Sequence, residues 1–260
     1  MRYLCFSLIS LILVGLVGCI GGSSEPTIST PPAFDQATRI VVTPFIADEQ
    51  AEKAGKWVPI NTVNQLELAL KKDEQNIEWV YDQSDDLSPV ASKLQELGLT
   101  LEDIYADPAL AAKVGQALDA DMIMVGKITN LRFKHKDYET LIKKEGRQAG
   151  ITPSASIYIR TLRSILGEIR VKVINTKTGE LVFSDGVKSY LKYWYAYLIY
   201  MRNNIVVKTD EEMLADLGRY LPRRIAHALY PEGIPEIEEK LVLLKPQERY
   251  KSSDGFIAFD

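Results

Sequence analysis

The 260-residue sequence predicts an α/β domain with a mixed sheet, in two or three layers: a βαβαβ run, then an antiparallel hairpin and a C-terminal helix. Two stretches carry this expectation. "MIMVGKI" (122–128) is apolar on both faces, as a central strand flanked by helices must be. "GEIRVKVINTKTGELVFSDGV" (167–187) sets Ile169, Val171 and Val173 against Glu168, Arg170 and Lys172. It then turns at Asn175 to Gly179 and resumes with Leu181 and Phe183, as a hairpin with one wet face does.

The other elements follow from local signals. "RIVVTPF" (39–45) is a β-branched run stopped by Pro44, the first strand. Thr62-Val63-Asn64-Gln65 has the form of a capping box, and Val63, Leu66 and Leu70 share a face, so a helix is expected from there to about Lys72. "NIEWVYD" (76–82) reads as the second strand. Ser88-Pro89 supplies an N-cap and a first-turn proline; Val90, Leu94 and Leu97 form the stripe, and Gly98 ends the helix. Asp107-Pro108 starts another helix, with Leu110, Val114, Ala117 and Leu118 expected inside. Thr209-Asp210-Glu211-Glu212 caps the last helix, whose stripe is Met213, Leu217, Leu221 and Ile225, with a kink or restart expected at Pro222. No internal repeat of solenoid period is visible.

The N-terminus has a different character. Met1-Arg2-Tyr3 is followed by an apolar run from Leu4 to Val17, shorter than the roughly 20 residues that span a bilayer core. A short basic start, an apolar centre and a small-residue exit describe an export signal over residues 1–18. Leu16, Val17 and Gly18 before Cys19 resemble the bacterial lipobox, which implies that Cys19 is diacylated and becomes the mature N-terminus. Two acyl chains anchor firmly where one binds only marginally. Ile20 follows, not Asp, which by the familiar sorting rule favours the outer membrane. Residues 19–37, rich in Gly, Ser, Thr and Pro, read as the lipidated cysteine and a flexible tether, reaching about 25 Å on average. The folded domain is expected at 38–230, with a Pro- and charge-rich tail at 231–260.

Composition narrows the function. A net charge of −4 argues against a nucleic-acid partner. Cys5 leaves with the signal and Cys19 is acylated, so no disulfide is expected. There is no Gly-x-Ser-x-Gly elbow and no phosphate loop. The two histidines, His135 and His227, lack partner motifs, so no metal site and no cofactor are expected. Adjacent acids such as Asp48-Glu49, Asp85-Asp86 and Glu238-Glu239 point apart and read as solvated charge. The chain is expected not to be an enzyme.

Two segments stand out. "KHKDYETLIKKEGR" (134–147) mixes charge signs and reads as a solvated loop or exposed helix. "YLKYWYAYLIYM" (190–201) concentrates tyrosines around one tryptophan. It reads as core, as a partner surface or as an element at a lipid–water interface. Tyr193, Trp194, Tyr195 and Tyr197 are the candidate partner contacts.

"RIVVTPF", "LDADMIMVGKIT" (118–129) and "GEIRVKVINTKTGELVFS" (167–184) together resemble the α/β domain shared by CsgG, LpoB and the N-terminal domain of TolB. A Leu-Gly-Ala-Asp-like turn opens the central strand in that group; here it is Leu118-Asp119-Ala120-Asp121, with Asp in place of Gly. The Thr-Gly-Glu-like hairpin of a later strand is Thr178-Gly179-Glu180. The resemblance implies a non-catalytic periplasmic lipoprotein that works by binding or assembling. Its CsgG branch turns two excursions into transmembrane hairpins of an oligomeric secretion channel, and this chain has excursions at 130–166 and 186–208. Its LpoB branch stays soluble and reaches a synthase on a long tether, whereas this tether is short. The expectation is therefore an anchored domain that docks onto an envelope protein partner. An oligomeric outer-membrane channel is the alternative, and an envelope enzyme with an unrecognised site a second one. Self-assembly stays open.

Overall fold

A computed structural model describes residues 26–34, 37–72, 76–82, 88–143, 155–198 and 206–237. Along the chain run β1 (Arg39–Val42), α1 (Glu52–Lys72), β2 (Glu78–Tyr81), α2 (Pro89–Leu97), α3 (Leu101–Ala106), α4 (Pro108–Ala117), β3 (Met122–Lys143), β4 (Ala155–Asn175), β5 (Leu181–Leu198) and α5 (Asp210–Leu229). The sheet order is β2-β1-β3-β4-β5. β1 is parallel to β2 and β3, and the pairs β3–β4 and β4–β5 are antiparallel. This is the mixed α/β sheet that the sequence predicts, with the apolar 122–128 run at its centre.

Two cores form because β3 and its neighbours are apolar on both faces. On one face, Val63, Leu66 and Leu70 of α1 and Met213, Leu217, Leu221 and Ile225 of α5 close over Ile40, Val42, Met124, Ile169 and Val171. On the other, Val90 and Leu94 of α2, Ile104 of α3 and Ala111 and Val114 of α4 close over Val41, Ile123, Val125 and Ile174. The arrangement is three-layered at that end of the sheet. Gly98 ends α2 in the left-handed region, at φ 65°, where a side chain would be strained.

Several expectations need correction. α1 begins ten residues before Thr62, which is interior and donates its hydroxyl to the Val58 carbonyl; the box-like pattern is a coincidence of composition. α3 escapes notice because its capping box, Thr100 with Asp103, encloses a single short turn. α4 buries Ala111, Ala112, Val114 and Gly115, while Ala117 is exposed. α5 continues through Pro222 without a restart. Lys172, expected on the wet face, is buried under α3, where its Nζ donates to the Tyr105 carbonyl at 3.0 Å and lies 3.9 Å from the ring centroid.

The largest difference is length. β3 is 22 residues and β4 is 21, so the first excursion is a continuous antiparallel ribbon, not a loop or helix, over 134–143. At about 3.3 Å per residue these strands run to roughly 70 Å, well past the helical layers at the other end. The expected tether also shortens. Ile28 exchanges two backbone hydrogen bonds with Ser184 on the free edge of β5, at 2.8 and 3.0 Å. Phe34 is buried with its ring edge-on to Trp79 of β2, at 6.3 Å. Residues 26–34 are thus a strap joining both edge strands, and residues 19–25 of the expected tether lie outside the described part. In the tail, Ile234 and Ile237 join the core; residues 238–260 lie outside the described part.

Candidate docking face of the β3–β5 arm

Beyond the row containing Lys172, β3, β4 and β5 continue as a three-stranded arm whose two faces differ. Paired residues of antiparallel strands point the same way, so the register sorts the side chains. One face lies under α5. Gly167 is what lets the helix approach, since a Cβ there would meet Leu217 Cδ2 at 2.7 Å. Ile159 and Ile165 pack beside it, and His135 Nε2 meets Asp210 Oδ1 at 2.7 Å at the start of α5. Asp137 accepts from Thr161 Oγ1 at 2.9 Å and lies 3.3 Å from Arg163.

The other face has no helix over it among the described residues. Its rows are Tyr138 beside Arg160, Lys136–Leu162–Trp194, Lys134–Ser164–Lys192, Arg132–Leu166–Tyr190 and Asn130–Glu168–Lys188. Six cations stand there against one carboxylate, Glu168, and that carboxylate is taken by Lys188 Nζ at 3.0 Å. Trp194 and Tyr190 are each 42% exposed. The Tyr138 and Trp194 rings lie 6.0 Å apart, and Lys136 and Lys192 sit over Tyr138 and Tyr190 at 4.7 and 4.4 Å. Leu162 and Ser164 are buried on this face, with the Tyr190 hydroxyl 3.5 Å from Ser164 Oγ.

The strand alternation splits the aromatic stretch. Tyr193 (1% exposed) and Tyr195 point into the α5 layer, so their expected role as partner contacts is corrected. The Tyr193 hydroxyl donates to Asp216 Oδ2 at 2.7 Å, and Lys208 closes the group by bonding the same carboxylate. The Tyr195 hydroxyl accepts from the Lys208 backbone N–H at 3.0 Å. Burial, reinforced by Asp216, pushes the Tyr193 phenol well above its ordinary value, and burial raises Tyr195 as well. Trp194 alone of the four is shown facing solvent. Tyr197 of β5 pairs with Ile159 of β4, and its side chain lies outside the described part, as do Leu16, Val17, Gly18 and Cys19.

The basic residues escape the sequence reading because neither face of 134–137 shows an apolar alternation, Leu131 and Phe133 being the last of it. The signal was present as cations at every second position, Arg132, Lys134 and Lys136, which is what a solvated strand face looks like. Elsewhere, Asp121 accepts from the Thr38 backbone and hydroxyl, the Arg39 backbone and Lys177 Nζ. These donors, led by Lys177 and Thr38, hold its carboxyl well below the usual range. His227 Nδ1 donates to the Ile234 carbonyl at 2.6 Å and ties the tail down. Among the described residues, no group of three or more His, Cys, Asp or Glu could hold a metal ion. No described helix is long and apolar enough to cross a membrane.

No protein-family model matches this chain, and no curated protein matches its sequence. Among solved structures it is similar to lipoprotein GNA1162 from Neisseria meningitidis, at 11% identity over 73% of this chain and 99% of that one, with a TM-score of 0.34. It is also similar to the LpoB C-terminal domain from Salmonella enterica, at 13% identity over 70% and 93%, TM-score 0.29. A PelC dodecamer from Paraburkholderia phytofirmans gives 10% identity over 62% and 77%, TM-score 0.28. Likeness this distant carries no functional weight.

Proposed function

We propose that this chain is a non-catalytic cell-envelope lipoprotein, held to the outer membrane through acylated Cys19 and facing the periplasm, whose α/β domain docks onto an envelope partner. One observation supports this above the rest: the arm presents an extended face with no covering helix among the described residues, rich in cations and aromatic rings. A sheet face built that way is a contact surface, because Trp, Tyr and Arg supply large contact area and charge-assisted hydrogen bonds.

The channel alternative needs strands of about nine to eleven residues with apolar side chains on the lipid side. Between Asn130 and Tyr138 one face of β3 carries Arg132, Lys134 and Lys136, and the other carries Leu131 and Phe133, which pack against the α1 and α5 core, followed by His135 and Asp137. That pattern suits water on one side and α5 on the other, and counts against lipid on either.

The test is photo-cross-linking in growing cells. An activatable residue replaces Trp194 or Lys134 in turn, with Lys113 of α4 as the control position. The proposal expects discrete adducts, with a protein or with lipid, from the two arm positions and none from position 113. Equal labelling from all three, or none from the arm, contradicts it.

A further inference from the structure

We infer that the occupant of the basic and aromatic face is the surface of an anionic phospholipid bilayer, so that the arm lies along the membrane that holds the anchor. The inference rests on the docking role proposed above and names what is docked.

Charge comes first. The whole chain is acidic, at −4, yet this one face gathers six cations around Glu168, which is already paired with Lys188. A concentration of one sign against the sign of the chain selects an anionic occupant. Shape comes second. Five rows of a three-stranded ribbon make a long, shallow surface, roughly 30 Å by 10 Å between backbones. Such a surface suits many headgroups in a plane better than one small anion in a pocket.

The aromatics narrow the chemistry. Trp194 and Tyr190 stand exposed on the same face as the cations, and Tyr138 lies beside Trp194. Rings with a polar tip, set among Lys and Arg, are what settles at the headgroup level of a bilayer. Place supplies the last element. The strap joins β5 at Ser184, four residues before Lys188 and ten before Trp194, or about 13 and 33 Å along the strand. The six residues 20–25 extend at most about 21 Å. An acylated Cys19 therefore keeps the face within reach of headgroups at all times, which raises their effective concentration.

The experiment uses residues 20–260, which retain every residue of the described fold and lack the anchor. Binding is measured by co-sedimentation with vesicles of phosphatidylcholine alone and of phosphatidylcholine mixed with phosphatidylglycerol. The chain is expected to bind the mixed vesicles, to leave the neutral ones in solution, and to bind less as salt rises. Replacing Arg132, Lys134 and Lys136 together by Glu is expected to weaken binding more than about 100-fold, at roughly fivefold or more for each cation removed. Trp194→Ala is expected to weaken it severalfold, and Lys113→Glu on α4 to leave it unchanged. Circular dichroism and a melting curve on each variant separate lost binding from lost folding.

No binding to anionic vesicles overturns the inference, as does binding that the triple reversal leaves intact. Retention on heparin, a soluble polyanion, without vesicle binding also overturns it, in favour of an anionic glycan. Should vesicles fail while arm positions still cross-link to a protein in cells, the lipid assignment falls and the docking role stands. Should both fail, both fall.

Discussion

The Tyr193 hydroxyl reaches from β5 to Asp216 in the middle of α5 at 2.7 Å, with Tyr193 1% and Asp216 7% exposed. This contact, with Lys208 on the same carboxylate, fixes the helix over one face of the arm and leaves the other face with no helix over it among the described residues. A buried carboxylate is tolerable only while its donors are present.

Removing either side should therefore cost unequal amounts. Tyr193→Phe deletes one hydrogen bond and leaves Lys208 on Asp216, for a loss of about 1 kcal/mol. Asp216→Ala strands both the buried phenol and Lys208, for about 2–3 kcal/mol. Urea unfolding of the two variants, each with the wild type as reference, checks the order.

The same phenol sets an alkaline limit. Its folded value lies above its unfolded value of about 10, so the stability it contributes is whole below that pH and is lost as pH rises above it. The wild type should lose stability above about pH 10 more steeply than Tyr193→Phe, and unfolding midpoints at stepped pH read the difference directly.

Asp121 makes the opposite prediction. Its folded value is depressed, so its contribution is present above the unfolded value of about 3.9 and disappears as pH falls below it. Asp121→Asn should cost about 1–2 kcal/mol at neutral pH, trimmed by the solvent access of the carboxylate. The gap between wild type and variant should close on acidification.

The strap carries a fourth prediction. Phe34→Ala empties a buried site against Trp79 and should cost about 3 kcal/mol. Limited proteolysis should then cut before residue 38 in the variant and not in the wild type. An unchanged melting temperature and unchanged cleavage would mean that the tether runs free to residue 37.

Where burial was two-sided or turn chemistry specific, the fold was legible. Ile123 to Val125 announced the central strand, Ser88-Pro89 and Gly98 bounded a helix, and Asn175 to Gly179 marked the hairpin. The departure at Asp119 also has a physical reading. Its φ is 55°, so the residue standing where the resembled group has Gly adopts the conformation that Gly supplies freely. What stayed hidden were elements whose neighbours come from far along the chain. β3 from Lys134 to Asp137 is polar on both sides because His135 meets Asp210 of α5 on one face and the other face meets solvent. The strap reads as linker because Ile28 and Phe34 are lone apolar residues among Ser, Thr and Pro. Of the candidate contacts, the aromatic cluster was visible, but its division between core and surface depends on strand parity, and a strand was expected there only as an end running into a helix.

We propose that the arm works at the membrane surface and not through it. Sedimentation velocity on residues 20–260, purified without detergent, tests this most directly. The docking reading predicts a soluble species of one or two chains in plain buffer. A requirement for detergent, with a ring-sized mass once it is supplied, would contradict it and make the two excursions the walls of a channel.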